Sequence, residues 1–158
     1  MRKQLSFILL ILSITTFSFT QQQDKSDSQS DIKHIIQGEF EAQFGEGWQF
    51  SWNLNSTPHR IFGGHISQNF NENDPVASEL AARDFIALNQ SIFYIPDSDL
   101  ELWVNEQHGN LRYLIFNQVH NGVPVWNGRI DFRYRLNGDL VLLGIDAYPN
   151  LELDTNPT

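Results

Sequence analysis

The sequence contains no cysteine, and this absence limits both its chemistry and its stabilisation. Without thiols the chain forms no disulfide, no cysteine-ligated metal site and no Cys–His catalytic pair. An exported form of the chain would therefore depend on its apolar core for stability. Aromatic residues make up 13% of the chain, and their large side chains can supply such a core.

Basic residues are also scarce. Lys and Arg number 10 against 19 Asp and Glu, which gives a net charge of −9. Nucleic acids and anionic membranes attract proteins through basic patches, so neither is predicted as a partner. The acidic balance is compatible with a basic partner, but solubility alone is the simpler explanation.

Several enzyme motifs are missing from the sequence. It has no Gly-x-Ser-x-Gly nucleophile elbow and no His-Glu-x-x-His zinc motif, and Gly63-Gly64 lacks the Lys and Ser/Thr of a phosphate loop. We interpret Gly63-Gly64 as a turn. The histidines do not combine with carboxylates at metal-site spacing; they are His34, His59, His65, His108 and His120. No catalytic, cofactor-binding or metal-binding residue is therefore predicted in this chain.

The N terminus carries a short apolar run. Met1-Arg2-Lys3 is basic, residues 5–19 are uncharged and apolar-rich, and Ser18-Phe19-Thr20 is an acceptable cleavage site. This order predicts a signal peptide over residues 1–20, and hence secretion without membrane attachment after cleavage. The alternative is an uncleaved anchor, although a bilayer span needs about 20 apolar residues. Cleavage would leave 8 Lys and Arg against 19 Asp and Glu, a net charge of −11.

Residues 21–31 are polar and of low complexity, which predicts a disordered linker. The apolar spacing of residues 32–44 predicts a short amphipathic helix that ends at Gly45 and Gly47.

Alternating aromatic and aliphatic side chains then predict a half-buried strand; they are Trp48, Phe50, Trp52 and Leu54. Trp48 and Trp52 are expected in the core, and residues 60–62 are expected to form a second, short strand that ends at Gly63.

The main helix is predicted to begin at Asp74-Pro75, because Asp is a good N-cap and Pro suits the first helical position. It runs to about Asn89, and its expected apolar stripe consists of Ala77, Leu80, Ala81, Phe85 and Leu88. Asn121-Gly122 and Asn137-Gly138 predict hairpins, since both central residues of a type I′ turn need positive φ. The predicted fold is α+β: a twisted antiparallel sheet, built as a hairpin meander and packed against one main helix.

Short motifs across residues 57–158 resemble, in order, the fungalysin/thermolysin propeptide, the N-terminal prodomain of secreted thermolysin-like or fungalysin-like zinc metallopeptidases. The matching words are Thr57-Pro58-His59-Arg60-Ile61-Phe62-Gly63, Ala82-Arg83-Asp84-Phe85, Asn89, Phe93, Arg112-Tyr113, Gln118, Asn121-Gly122-Val123-Pro124-Val125, Gly128 and Asn137-Gly138-Asp139-Leu140. His120 is a departure, because the family often carries Tyr there.

The resemblance implies a prodomain over residues 32–150, with its core at about 48–148, and a linker over residues 151–158 toward a missing second prodomain of the PepSY type. It also implies that the domain is a non-catalytic chaperone and temporary inhibitor of a catalytic domain in cis. Zinc, with calcium as a further candidate, would belong to that catalytic domain. The motif and interface candidates are Pro58, Arg60, Gly63, Arg112, Gln118, Asn121, Gly122, Val123, Pro124, Val125, Trp126 and Gly128.

Two other interpretations stay open. The chain could be a stand-alone exported binding module, either a free protease inhibitor or an adhesion or glycan-contact domain that uses exposed Trp103 and Trp126. It could also be a structural domain of a larger exported protein. A His-Glu-x-x-His motif in frame after Thr158 would favour the prodomain, whereas a native stop codon there would favour the stand-alone module.

Overall fold

The computed structural model describes residues 28–68, 70–71, 74–96, 99–149 and 151. The predicted signal peptide, linker residues 21–27 and residues 152–158 lie outside this part of the chain. The chain divides into two units, one up to Ile35 and one from Ile36 onward. In the smaller unit, residues 28–35 are helical, so the prediction of a disordered linker is wrong for residues 28–31.

The larger unit begins with helix α1, residues 36–44. Its apolar side chains Ile36 and Phe40 are buried, and the Phe40 ring packs edge-on against Trp48. The helix ends where the Gly45 N–H donates to the Glu41 carbonyl at 2.8 Å with Gly45 at φ +86°, a left-handed conformation that glycine adopts readily. The predicted helix and its end are confirmed, but Ile32 and Ile35 of its predicted apolar residues are exposed.

Helix α2, Pro75–Leu88, starts as the sequence predicts. The Asp74 carboxylate accepts a hydrogen bond from the Val76 N–H at 2.9 Å, and Pro75 occupies the first turn. A short helix α3, Gln90–Phe93, follows and contributes Ile92 and Phe93 to the core.

The predicted apolar stripe of α2 is wrong by about one position. The buried face consists of Ser78, Ala82, Phe85 and Ile86, so only Phe85 was placed correctly. Leu80 and Leu88 are instead 57% and 81% exposed. Ser78 can face inward because its Oγ donates to the Pro75 carbonyl at 2.9 Å, which satisfies the buried hydroxyl.

Six strands form one antiparallel sheet; they are β1 Gln49–Trp52, β2 Pro58–Ser67, β3 Leu100–His108, β4 Leu111–His120, β5 Val123–Arg135 and β6 Asp139–Ile145. Their order is β1-β2-β6-β5-β4-β3. Strands β3 to β6 are a hairpin meander, and the last strand lies between β2 and β5. The predicted α+β fold is confirmed. No helix in the described ranges is both long and apolar enough to cross a bilayer.

Strand β2 differs from its prediction, because it continues through Gly63-Gly64 to Ser67. The two glycines form a bulge rather than a turn: the register with β6 shifts between Phe62 and Ile66, and Gly63 has φ +101°. A Cβ on Gly64 would lie 2.4 Å from an indole carbon of Trp48. The glycine therefore lets the buried Trp48 ring lie directly against the strand.

Strand β1 is shorter than predicted. It ends at Trp52, which is half-buried and stacks on Phe50 with ring centroids 5.4 Å apart. Leu54 lies in the following turn and is 99% exposed, so its predicted place on the buried face is wrong.

The two Asn-Gly sequences form different turns. Asn121 and Gly122 have φ +51° and +78°, as the predicted type I′ hairpin requires. At the second hairpin Gly138 has φ +82° while Asn137 stays at negative φ, and the Gly138 N–H donates to the Arg135 carbonyl at 3.0 Å. The Asn137 side chain is engaged with the backbone N–H and carboxylate of Asp139, which accounts for the different geometry.

Strand β5 shows how the sheet separates core from polar surface. Ile130, Phe132 and Tyr134 are fully buried on one side, where Phe132 stacks on Phe93 of α3. Burial of each such side chain contributes about 1.5–3 kcal/mol to folding. The alternate residues point to the opposite side, which we call the polar side of the sheet; on β5 they are Arg129, Asp131 and Arg133.

Candidate binding surface

A large bulge in β5 shapes one end of the sheet. Asn117 of β4 pairs with Arg129, and Val119 pairs with Pro124. Between these pairs Gln118 alone faces four residues of β5, residues 125–128. Asn127 adopts φ +58° within the bulge, and Trp126 is 86% exposed. The bulge therefore turns a large apolar side chain toward solvent, as bulges near functional sites often do.

Gln118 and Gly128 hold the bulge in place. A Cβ on Gly128 would lie 2.8 Å from Gln118 Oε1 and 3.0 Å from a methyl carbon of Val125, so a larger residue does not fit. The buried Gln118 amide accepts from the Tyr148 N–H and donates to the Tyr148 carbonyl, both at 2.8 Å. The Gln118 amide thereby satisfies the backbone N–H and carbonyl of Tyr148, as a neighbouring strand would inside the sheet.

Two adjoining depressions lie on this surface. The smaller, about 310 Å³, is lined by Trp103, Trp126, Pro124 and Val125 among others. The larger, about 680 Å³, is lined by the turn after β1, by Asp146 and by Tyr148. Asn127 and Arg129 line both depressions. We call the two together the Trp103–Trp126 groove.

Charged side chains border the groove on the polar side of the sheet. The side chain of Asp131 is only 3% exposed, with nitrogens of Arg133, Arg129 and Arg60 at 3.4, 3.5 and 3.7 Å from its carboxylate oxygens.

The neighbouring Asp146 shares two of these arginines. Its carboxylate lies 3.1 Å from Arg60 Nη1 and 3.6 Å from Arg129 Nε, and it also bonds to His59 Nδ1. We call this set, Arg60, Arg129, Arg133, Asp131 and Asp146, the arginine–aspartate cluster. With three arginines and two aspartates, its net charge is positive by one, on a chain whose total charge is −9.

The structure separates the candidate residues into three groups. Pro124, Val125, Trp126 and Gly128 line the smaller depression, and Val123 is exposed beside them. Arg60 and Gln118 support the surface from below. The remaining candidates do not line the groove: Pro58 and Gly63 in β2, Asn121 and Gly122 at a hairpin tip, and Arg112, whose guanidinium is buried and donates to Asn105 Oδ1.

Sequence reasoning did not nominate several groove residues. None of Asn127, Arg129, Asp146 and Tyr148 was among the site candidates, and they come together only through the bulge and the return of the chain after β6. Trp103 was considered only together with Trp126, as an exposed tryptophan of the alternative glycan-contact module. That pair of tryptophans was the one signal available in the sequence. In the described ranges, no three His, Asp or Glu side chains form a group that could hold a metal ion.

Comparisons with known proteins do not assign a family or a function to the chain. No family model matches the sequence, and no curated protein matches it. Among solved structures, the fold is similar to the Bacillus megaterium YpeB C-terminal domain, with 11% sequence identity and a TM-score of 0.44 over 84% of this chain and 68% of that chain. A likeness at this level carries no functional argument, so the propeptide resemblance stays a prediction.

Proposed function

We propose that this chain is the non-catalytic propeptide domain of a secreted zinc metalloendopeptidase precursor, and that it assists folding of the catalytic domain and then masks it temporarily. The observation that supports the proposal most is the Trp103–Trp126 groove, where a bulge exposes Trp126 beside Trp103. Tryptophans exposed in a concave patch are typical of protein contact sites and dominate their binding energy. Zinc is assigned to the partner, not to this chain.

The groove is a better docking surface than the sheet edges. Strand β1 is four residues long and irregular near its end. The other edge strand, β3, exposes Glu101 and Glu106 and has a bulge next to Trp103. Short length, charge and bulges all discourage the addition of a further strand. The proposed masking contact is therefore made by side chains of the groove.

Such a domain would act by mass action. A surface that binds the folded catalytic domain, and not its unfolded chain, shifts the folding equilibrium toward the folded form. The same contact blocks the cleft until the two parts are separated by cleavage. Neither effect requires a reactive group in this chain.

The test is titration of the purified mature domain against its cognate mature peptidase, with peptide hydrolysis as the readout. The double variant Val125→Ala/Trp126→Ala should bind about thirtyfold more weakly, because loss of a tryptophan hot spot costs about 2 kcal/mol. Leu88→Ala removes an equally exposed apolar side chain from α2 and should leave inhibition unchanged. Unaltered inhibition by a folded double variant would refute the proposed surface.

A stand-alone glycan-contact or adhesion module is the second candidate. It is favoured by one observation, the presence of two exposed tryptophans together with the polar side chains Asn127 and Arg129 in the same depression. Saturable binding to an oligosaccharide on a glycan array, combined with no inhibition of the cognate peptidase, would select this candidate instead.

A further inference from the structure

We infer that Arg129 is the specificity residue of the Trp103–Trp126 groove and binds a carboxylate side chain on an extended segment of the partner protein. The inference rests on the proposed function, since it names the chemistry of the segment that the groove would hold. That segment presents an Asp or Glu to Arg129 and, beside it, an apolar residue to Trp103 and Trp126.

Arg129 lies where the two depressions meet, because it lines both of them together with Asn127. A ligand that crosses from one depression to the other must pass this side chain. In the smaller depression the ligand would contact Trp103 and Trp126. In the larger one it would contact the exposed Leu54 and Tyr148. An extended peptide, whose side chains alternate in direction, can fill both depressions at once.

Within the described residues, Arg129 is the cluster arginine whose bonding is least complete. Arg60 donates to Asp146 at 3.1 Å and Arg133 donates to Asp131 at 3.4 Å. The Arg129 Nε is buried between Asp131 at 3.5 Å and Asp146 at 3.6 Å and makes no hydrogen bond in this part of the chain, so a ligand would reach only the exposed remainder of the side chain. The Arg129 side chain is also 42% exposed, against 23% for Arg60 and 22% for Arg133.

The net positive charge of the arginine–aspartate cluster favours an anionic ligand group. With three arginines and two aspartates, the arginine–aspartate cluster has one positive charge that no internal carboxylate balances. A carboxylate matches the planar guanidinium in two parallel hydrogen bonds. A phosphate dianion would bring a second negative charge close to Asp131 and Asp146, so the surroundings favour a single charge.

The polar groups of the groove suit a peptide better than a sugar. A sugar needs several free hydrogen-bonding side chains, but Asn53 Nδ2 already donates to Thr57 Oγ1 and to the Ile145 carbonyl. Asn55 Oδ1 accepts from the Thr57 hydroxyl and N–H. Apart from Asn117, Asn127, Arg129 and Asp146, the remaining wall is apolar, which fits apolar peptide side chains.

The experiment compares the full mature chain with Arg129→Gln, Arg129→Lys and Arg135→Gln. Arg135→Gln removes the same charge from an exposed position of the same strand. Probes are the cognate mature peptidase and fluorescent nine-residue peptides tiled across its catalytic domain, each made with its Asp and Glu and again with Asn and Gln. Thermal melting verifies that each variant is folded.

The native domain and Arg135→Gln should bind a subset of acidic peptides at least about tenfold more tightly than their amide forms, as expected for a charge-assisted pair. Arg129→Gln should abolish that difference, and Arg129→Lys should retain part of it. The inference is overturned if no peptide binds, if the native domain shows no acid preference, if Arg129→Gln keeps the preference, or if oligosaccharides bind in place of peptides.

The outcomes also separate this inference from the proposed function. If Arg129→Gln inhibits the peptidase as well as the native domain does, the role of Arg129 is refuted while the propeptide function stands. If the native domain does not inhibit the peptidase at all, the propeptide function fails, whatever the peptides show.

Discussion

The side chains on the two faces of strand β5 have different roles. Toward the helices, Ile130, Phe132 and Tyr134 are fully buried, and burial raises the pKa of Tyr134, whose hydroxyl donates to Gln68 Oε1. On the polar side, Arg129 and Asp131 belong to a network of opposite charges. The first side supplies stability through packing, whereas the second supplies a charged surface next to an apolar groove.

This difference separates residues that hold the fold from residues free to bind. Apolar burial is non-directional and tolerates little loss of volume. Charged groups that are partly exposed contribute less to stability, because solvent screens them. We therefore expect substitutions on the core side to lower the free energy of unfolding, and substitutions in the groove to change binding with little change in stability.

The largest effect is expected in the core. Phe132→Ala removes a ring that contacts Phe85, Phe93 and Phe116, and should lower the free energy of unfolding by about 4 kcal/mol. Urea denaturation followed by tryptophan fluorescence measures this loss. Phe62→Ala provides a comparison on the polar side; its side chain is 37% exposed, so the loss should be about half as large. Equal losses for the two would contradict the assignment of sides.

A smaller loss is expected from Asp131→Asn on the polar side. The change leaves Arg60, Arg129 and Arg133 with one carboxylate among them, and should cost about 2 kcal/mol after allowance for screening. The exposed helical Asp84→Asn is the matched control and should be neutral. Denaturation at low and high salt tests the cause, because the loss should shrink as salt screens the arginines.

A third comparison tests the buried stripe of α2. Ile86→Val deletes one methylene from a fully buried side chain and should cost about 1 kcal/mol. Leu88→Ala removes more atoms from a position that is 81% exposed and should cost under about 0.5 kcal/mol. If thermal melting showed the larger loss for Leu88→Ala, the stripe predicted from sequence would be the correct one.

The smallest effect is expected at Asp139, whose carboxylate accepts hydrogen bonds from the neutral side chains of Ser67 and Asn137. Hydrogen bonds from Ser67 and then Asn137 hold its pKa below the usual value. A lowered folded-state pKa adds stability above the unfolded pKa of about 3.9, and this stability is lost as the pH falls through the folded value.

Asp139→Asn should therefore be less stable than the native protein at neutral pH, by at most about 1 kcal/mol. The difference should disappear in acid. Melting temperatures of both proteins between neutral and acidic pH measure it, and a pH-independent difference would point to packing instead of ionisation.

The sequence predicted the fold class well because its signals were local. The Asp74-Pro75 helix start and the Asn121-Gly122 turn depend on neighbouring residues, and both are confirmed. The α2 stripe was missed because Ala77 and Ala81 form, with the leucines, an apolar face next to the one that is buried. Periodicity could not choose between two adjacent apolar faces, since the choice depends on the sheet beneath.

The candidate site was less predictable, because it depends on irregular pairing. Three surplus residues in the β5 bulge bring Trp126 toward Trp103, which lies on a strand that is not adjacent to β5. Alternation patterns assume an uninterrupted register, so they contain no information about such a bulge. The same limit led to the misinterpretation of Gly63-Gly64 as a turn.

The two hydrogen bonds between Gln118 and Tyr148 also affect how often the groove would meet a partner joined to the same chain. Because they fix the backbone at Tyr148 on the wall of the groove, polypeptide continuing from that point starts beside the proposed docking surface. If a partner were joined through a short flexible tether, its effective concentration would be about 1 mM, and even a weak contact would stay occupied while the chain was intact. Cleavage of such a tether would replace that value with the bulk concentration, and the same contact would then dissociate without any change in its own strength.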